Sequence, residues 1–178
     1  MKLALLGTGK IVQEVLPVLE ELGICPVALL GTERSRARGE ELVRRYRIPH
    51  LYFDHDELLE GEADAVYIGL PNRVHYQYAK AALLKGKHVI VEKPMVTSLE
   101  EFQELRSLAR ERSLVLVEAM TLHYLPTLAQ MKKDLPLLGR PRLVCFNYSQ
   151  YSSRYDAFQH GEIAPAFDPA LGAERLWI

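Results

Sequence analysis

Short, uninterrupted apolar runs recur along the chain: Leu3-Ala4-Leu5-Leu6, Val27-Ala28-Leu29-Leu30, Ala65-Val66-Tyr67-Ile68, Val89-Ile90-Val91 and Leu114-Val115-Leu116-Val117. None alternates with polar positions. That pattern predicts strands buried on both faces, as in a parallel sheet covered by helices. Between most of these runs the apolar spacing becomes helical. Ile11, Val15, Val18, Leu19 and Leu22 form one stripe, with Pro17 inside it where it should kink or weaken the helix. Tyr76, Ala79, Leu83 and Leu84 form another. Ser98 reads as an N-cap, and Glu101 three residues later completes a capping box ahead of Phe102, Leu105, Leu108 and Ala109. Alternating units of this kind predict an α/β fold with a doubly wound parallel sheet.

After Val117 the rhythm changes. Residues 124 to 138 look helical, with Pro136 near the end, and Arg142 to Ser149 reads as a long, partly alternating strand. From Tyr151 onward there is a polar, aromatic stretch without a clear period.

Composition narrows the possible functions. Hydrophobic residues at 48% and charged residues at 25% of 178 residues are the balance of a soluble globular protein. Lys+Arg 22 against Asp+Glu 23 gives a net charge of −1, which removes the electrostatic case for nucleic acid or an anionic membrane as partner. Cys25 and Cys145 have no paired spacing, so neither a disulfide framework nor a metal site is expected. Both sit among apolar residues and read as small core residues. Only four apolar residues separate Met1-Lys2 from Gly7, too short for a signal peptide, and the expectation is a cytoplasmic protein.

The candidate chemistry lies where apolar runs end. The first run leads into Gly7-Thr8-Gly9-Lys10-Ile11-Val12. One glycine suits a tight strand-to-helix turn, and the second lets a pyrophosphate approach the backbone N–H groups that open the helix. The third position of such a fingerprint takes Gly or Ala for close packing, and here it is Val12, so a ligand-free turn stands as the alternative. The second run ends in Gly31-Thr32-Glu33-Arg34-Ser35. Glu33 suits the ribose 2′-hydroxyl of NAD, whereas Arg34 with Thr32 suits the 2′-phosphate of NADP; solvated loop charges are the bland alternative. Two further runs end in Gly69-Leu70-Pro71-Asn72-Arg73-Val74-His75 and Val91-Glu92-Lys93-Pro94, again at the edge where open α/β sheets place ligands. Lys93 could donate to a substrate oxygen, or be a surface lysine.

Together these segments resemble the Gfo/Idh/MocA family, the relatives of glucose–fructose oxidoreductase and inositol dehydrogenase. The resemblance is carried by Gly7 to Ile11, Val66 to Asn72 with His75, Gly86-Lys87-His88-Val89, Glu92-Lys93-Pro94, Glu118-Ala119-Met120 and Phe167-Asp168-Pro169, nearly the whole chain. It implies a Rossmann domain over residues 1–118 and the incomplete beginning of a substrate domain over 119–178. It also implies an NAD- or NADP-dependent oxidoreductase that moves a hydride to or from a sugar- or polyol-like carbinol.

On that resemblance Lys93 is the catalytic group at the nicotinamide ribose and substrate hydroxyl, Glu92 holds its loop, and the Lys93–Pro94 peptide is often cis. Pro71, Asn72 and His75 would line the cofactor cleft; the rival for His75 is a helix-start histidine outside the site. The family's other catalytic groups come from the second domain, whose sheet is also the route to a homo-oligomer. After Leu171 this chain reads Gly172-Ala173-Glu174-Arg175-Leu176-Trp177-Ile178. Deleting one base from codons for Gly-Gly-Gly-Ala-Leu-Met-Asp can produce that tail, so a truncated enzyme, weakly active or inactive, is expected. The alternatives are a nucleotide-binding module without enzyme activity and an aggregation-prone fragment with an unpaired strand edge.

Overall fold

The computed structural model describes residues 1–147, 149–151 and 155–162 of the chain. Two units result, Met1–Ala119 and Met120–Ile178. The first runs β1 (Leu3–Leu6), α1 (Lys10–Glu21), β2 (Ala28–Leu30), α2 (Arg36–Arg45), β3 (His50–Tyr52) and α3 (His55–Glu60). It continues with β4 (Ala65–Ile68), α4 (His75–Leu84), β5 (His88–Val91), α5 (Leu99–Glu111) and β6 (Leu116–Glu118). All strand pairs are parallel, in the order β3-β2-β1-β4-β5-β6. The order reverses between β1 and β4, so the connections leaving these neighbours diverge and open a crevice at their carboxyl ends.

The apolar runs become strands because both of their faces find cover. Every position of β1, β2 and β4 is buried. Successive side chains alternate between two layers. Leu3, Leu5, Leu29, Ala65 and Tyr67 pack with Val12, Leu16 and Leu19 of α1 and Leu42 of α2. Ala4, Leu6, Leu30, Val66, Ile68, Val89 and Val91 pack with residues of α3, α4 and α5, among them Leu58, Leu83 and Leu105.

Burial on both faces does not extend to the far strands. In β5, Val89 and Val91 are buried but His88 and Ile90 only half-buried, and all three residues of β6 are half-buried. The last run also shifts: β6 begins at Leu116, and Val115 is exposed while its carbonyl accepts the Val89 N–H at 2.8 Å. These strands lie toward the β6 edge of the sheet, where Ile90 only borders the α1–α2 layer. β3 is the opposite edge, paired to β2 alone, and its exposed-to-half-buried His50-Leu51-Tyr52 carries no apolar run.

α1 continues through Pro17 to Glu21. At α5 the Ser98 hydroxyl accepts the Glu101 N–H at 3.2 Å, the N-cap half of the expected box. Neither cysteine is in the core: Cys25 and Cys145 are both exposed. Cys25 lies in the surface loop between α1 and β2, where flanking apolar residues do not bring burial.

The second unit contains a 3₁₀ turn at Thr121–Tyr124, α6 (Pro126–Asp134) with a 3₁₀ extension over Leu135–Leu138, and α7 (Tyr155–Gln159). The helix expected over 124–138 is therefore present. The strand expected over Arg142 to Ser149 is not: Arg142 to Asn147 and Ser149 form no ladder, and Tyr148 lies outside the described residues. A strand requires a partner for its N–H and C=O groups, and among the described residues none pairs there. Phe167-Asp168-Pro169 and the tail from Gly172 to Ile178 lie outside the described residues. Among the described residues no helix is long and apolar enough to cross a membrane, and no His/Cys/Asp/Glu group could hold a metal ion.

Candidate functional site

The turn after β1 is shaped by what its glycines lack. Gly7 has φ +113°, and a Cβ there would lie 2.8 Å from the Gly69 carbonyl oxygen. Only glycine accepts both the conformation and the approach. Gly9, the residue before α1, has nothing within 4 Å of the position a Cβ would take. Free space therefore stands over the N–H groups that open α1, groups with no partner inside the helix. Val12 is fully buried, and the Cβ missing from Gly69 would sit 2.7 Å from its Cγ2. The small residue expected at the third fingerprint position is thus supplied across the interface, by Gly69 at the end of β4. Lys10 is exposed with its ammonium 3.7 Å from Glu14, and Ile11 borders the α1–α2 core layer, so these two offer the turn backbone rather than side chains.

A cavity of about 280 Å³ opens beside this turn, between the ends of β1, β2 and β4. Of the residues expected to read the cofactor, Gly7, Thr8, Gly9, Thr32 and Pro71 line it. Glu33 and Arg34 do not. The Glu33 carboxylate accepts two hydrogen bonds from Arg36, at 2.6 and 3.0 Å, and is otherwise exposed. Arg34 is exposed in the same 3₁₀ turn, Glu33–Ser35. The Thr32 and Ser35 hydroxyls lie 3.1 Å apart at the cavity wall, in a reciprocal cap of that turn.

Four lining or flanking groups escaped the sequence analysis. Ser35 was legible as the partner of Thr32 in a Thr-x-x-Ser cap. Phe53, with the Arg36 guanidinium 3.9 Å from its ring centre, and the ring pair His55–Tyr78 were not, since Phe53 and His55 follow the exit of β3 and Tyr78 reaches them from α4. His55 Nε2 is buried and, among the described residues, has no hydrogen-bond partner, and burial pushes the ring's pKa below its ordinary 6.5 against the weaker pull of Asp56 and Asp54.

The ends of β4 and β5 meet beneath the surface. Asn72 opens a 3₁₀ turn, Asn72–Val74, and His75 begins α4. His75 is a helix-start residue and is not among those lining the cavity, but its ring is fully buried, with Nδ1 2.8 Å from the Pro94 carbonyl oxygen and Nε2 2.7 Å from that of Leu70. It joins the two loops from below. Glu92 is gripped at both oxygens, by the Tyr67 hydroxyl at 2.5 Å and the Lys93 N–H at 3.3 Å. Burial first, and Glu92 second, push the Tyr67 phenol well above its usual range. The Lys93–Pro94 peptide is cis, and the Met95 N–H donates to Glu118 at 2.8 Å. Lys93 itself is exposed, and among the described residues its ammonium has no partner.

Residues 1–120 match the family model GFO_IDH_MocA, described as oxidoreductase family, NAD-binding Rossmann fold. The chain belongs to the Gfo/Idh/MocA family. It is 34% identical over 177 residues to scyllo-inositol 2-dehydrogenase (NADP(+)) IolU of Bacillus subtilis, covering 99% of this chain and 54% of that protein. It is 33% identical over 172 residues to the uncharacterized oxidoreductase YgjR of Escherichia coli, covering 96% and 52%. The chain thus spans about half the length of these curated relatives. Among solved structures, KijD10, a 3-ketoreductase from Actinomadura kijaniata in complex with NADP and TDP-benzene, superposes with a TM-score of 0.71 at 29% identity, over 77% of this chain and 42% of that one. The doubly wound sheet is accordingly an NAD(P)-binding Rossmann fold of an oxidoreductase family.

Proposed function

We propose that the chain binds NADP(H) across the carboxyl edge of its sheet, and that the enzyme transfers a hydride between that cofactor and a sugar- or polyol-like carbinol. The observation that carries this is the open space over Gly9, where a pyrophosphate can reach the helix N–H groups and where any side chain would intrude. The preference for NADP rests on the far end of the cavity. An acidic reader of a 2′-hydroxyl must face the cavity, and Glu33 does not line it. Thr32 and Ser35 offer hydroxyls at the wall, and the Arg36 guanidinium lies against Phe53 beside them. That set suits a phosphate dianion better than a hydroxyl. The names of the relatives support both parts, one an NADP-dependent inositol dehydrogenase and one a ketoreductase with NADP bound.

The nicotinamide ring supplies the hydride donor or acceptor. The work of this chain is to orient and to hold charge. Gly7 and Gly9 let the backbone close on the pyrophosphate, while Pro71 walls the cleft beside them. Glu92, held by Tyr67, fixes the start of the Lys93 loop. The Lys93 ammonium, without a partner among the described residues, would donate to the substrate oxygen. In the reducing direction it would give its proton to the carbonyl oxygen as the carbon accepts the hydride; the reverse reaction would return the hydroxyl proton to the amine. A cytoplasmic, homo-oligomeric enzyme acting on a small molecule is the form this proposal takes.

Calorimetric titration tests the cofactor assignment. NADPH should bind about tenfold or more tightly than NADH, the worth of roughly one good charged contact. Arg36→Ala should erase most of that difference by weakening NADPH alone. A preference for NADH overturns the NADP assignment, and failure of both to bind overturns the function.

A further inference from the structure

We propose that His75 carries a proton on both ring nitrogens and is the positioning residue that ties the Leu70–Pro71 loop to the Lys93–Pro94 loop. The ring has no exposed surface, and each nitrogen faces a backbone carbonyl, Pro94 at 2.8 Å and Leu70 at 2.7 Å. A carbonyl oxygen only accepts. A neutral imidazole has a single N–H, so it could satisfy one of these contacts and would aim a lone pair at the other oxygen. Both contacts are hydrogen bonds only when both nitrogens donate, and such bonds from a charged ring are the strong kind. Two carboxylates are bound to the backbone that flanks Pro94. Glu92 accepts from the Lys93 N–H and Glu118 from the Met95 N–H, which places a carboxylate on the residue to either side of Pro94.

The two tied loops leave the carboxyl ends of adjacent strands, β4 and β5. One walls the nucleotide cavity and the other carries Lys93. A bridge between their carbonyls sets their separation before any ligand arrives, which is where orientation contributes to rate. This second consequence rests on the proposed cofactor site; the protonation of the ring rests on the geometry alone.

A long-range proton–nitrogen NMR spectrum of the ¹⁵N-labelled chain at neutral pH tests the first part, with His75→Gln identifying the signals by their loss. Both ring nitrogens should resonate as proton-bearing, each with a slowly exchanging proton. One bare nitrogen overturns the proposal, and where His75→Gln does not fold, residue-specific assignment of the parent spectrum identifies the signals. NADPH titration tests the second part. His75→Leu should bind about tenfold more weakly than the parent, with His75→Gln, whose amide can still donate, in between. Equal affinity of parent and His75→Leu overturns the positioning role. An unmodified chain that fails to bind NADPH overturns the proposed function instead, while the NMR result still decides the state of the ring.

Discussion

At Gly7 and Gly9 the same residue type serves opposite ends. A Cβ at Gly7 meets backbone and a forbidden φ, so Gly7→Ala should cost about 1–3 kcal/mol in urea unfolding. Gly69 is a packing glycine: Gly69→Ala should destabilise by about 1–3 kcal/mol through its 2.7 Å clash with Val12. Trimming the partner, in the double variant with Val12→Ala, should recover part of that loss, a non-additivity that a double-mutant cycle reads directly. His55 predicts a pH effect. Burial holds its folded-state pKa below 6.5, so the unfolded chain takes up the proton first. The contribution is intact above about pH 6.5 and lost as pH falls below it. His55→Phe keeps a ring against Tyr78 and removes the unpartnered nitrogen. Its melting temperature should exceed the parent's, by a margin that widens as pH drops through that window. A constant margin would contradict the assignment.

Among the elements, what was legible in the sequence was what a continuous run can state. β1, β2 and β4 show uninterrupted apolar residues because helices cover both their faces. β3 is an edge strand of three residues with a histidine at its start, and edges need no such run. Missing β3 also hid Phe53 and His55, which are set at the cavity wall by its exit. The predicted strand after residue 141 had the opposite fault: a strand-like composition without a ladder to join among the described residues. Glu33 and Arg34 do follow β2, but neither lines the cavity, and the Glu33 carboxylate goes to Arg36 one helical turn later, a side-chain choice that composition does not reveal. The Glu92 loop can be tested as an element. The Tyr67 phenol is raised above its ordinary 10.0, so its share of stability is present below about pH 10 and lost as pH rises beyond it. Tyr67→Phe should therefore lower stability near neutrality and flatten the alkaline limb of the melting profile. An unchanged alkaline limb would mean that the Tyr67–Glu92 bond does not brace the loop.

For the whole molecule, strand order matters more than any one motif. The reversal between β1 and β4 opens the crevice, and the Gly7–Gly9 turn, the Thr32 cap and Pro71 all fall beside it because each follows a parallel strand. The family was legible from short segments, and the match over residues 1–120 agrees with it. His75 was legible as a position, but its place beneath two loops needed the fold to bring Leu70 and Pro94 together. The central claim is that the backbone around Gly9 is a cradle for NADP(H). The most direct test is a fluorescence titration of NADPH into the parent chain and into Gly9→Val, with a melting curve for each. Gly9 has an ordinary φ of −73° and open space around it, so the variant should melt within a degree or two of the parent. The parent should bind NADPH and the variant should not. Equal binding by both chains, or none by either, would contradict the account.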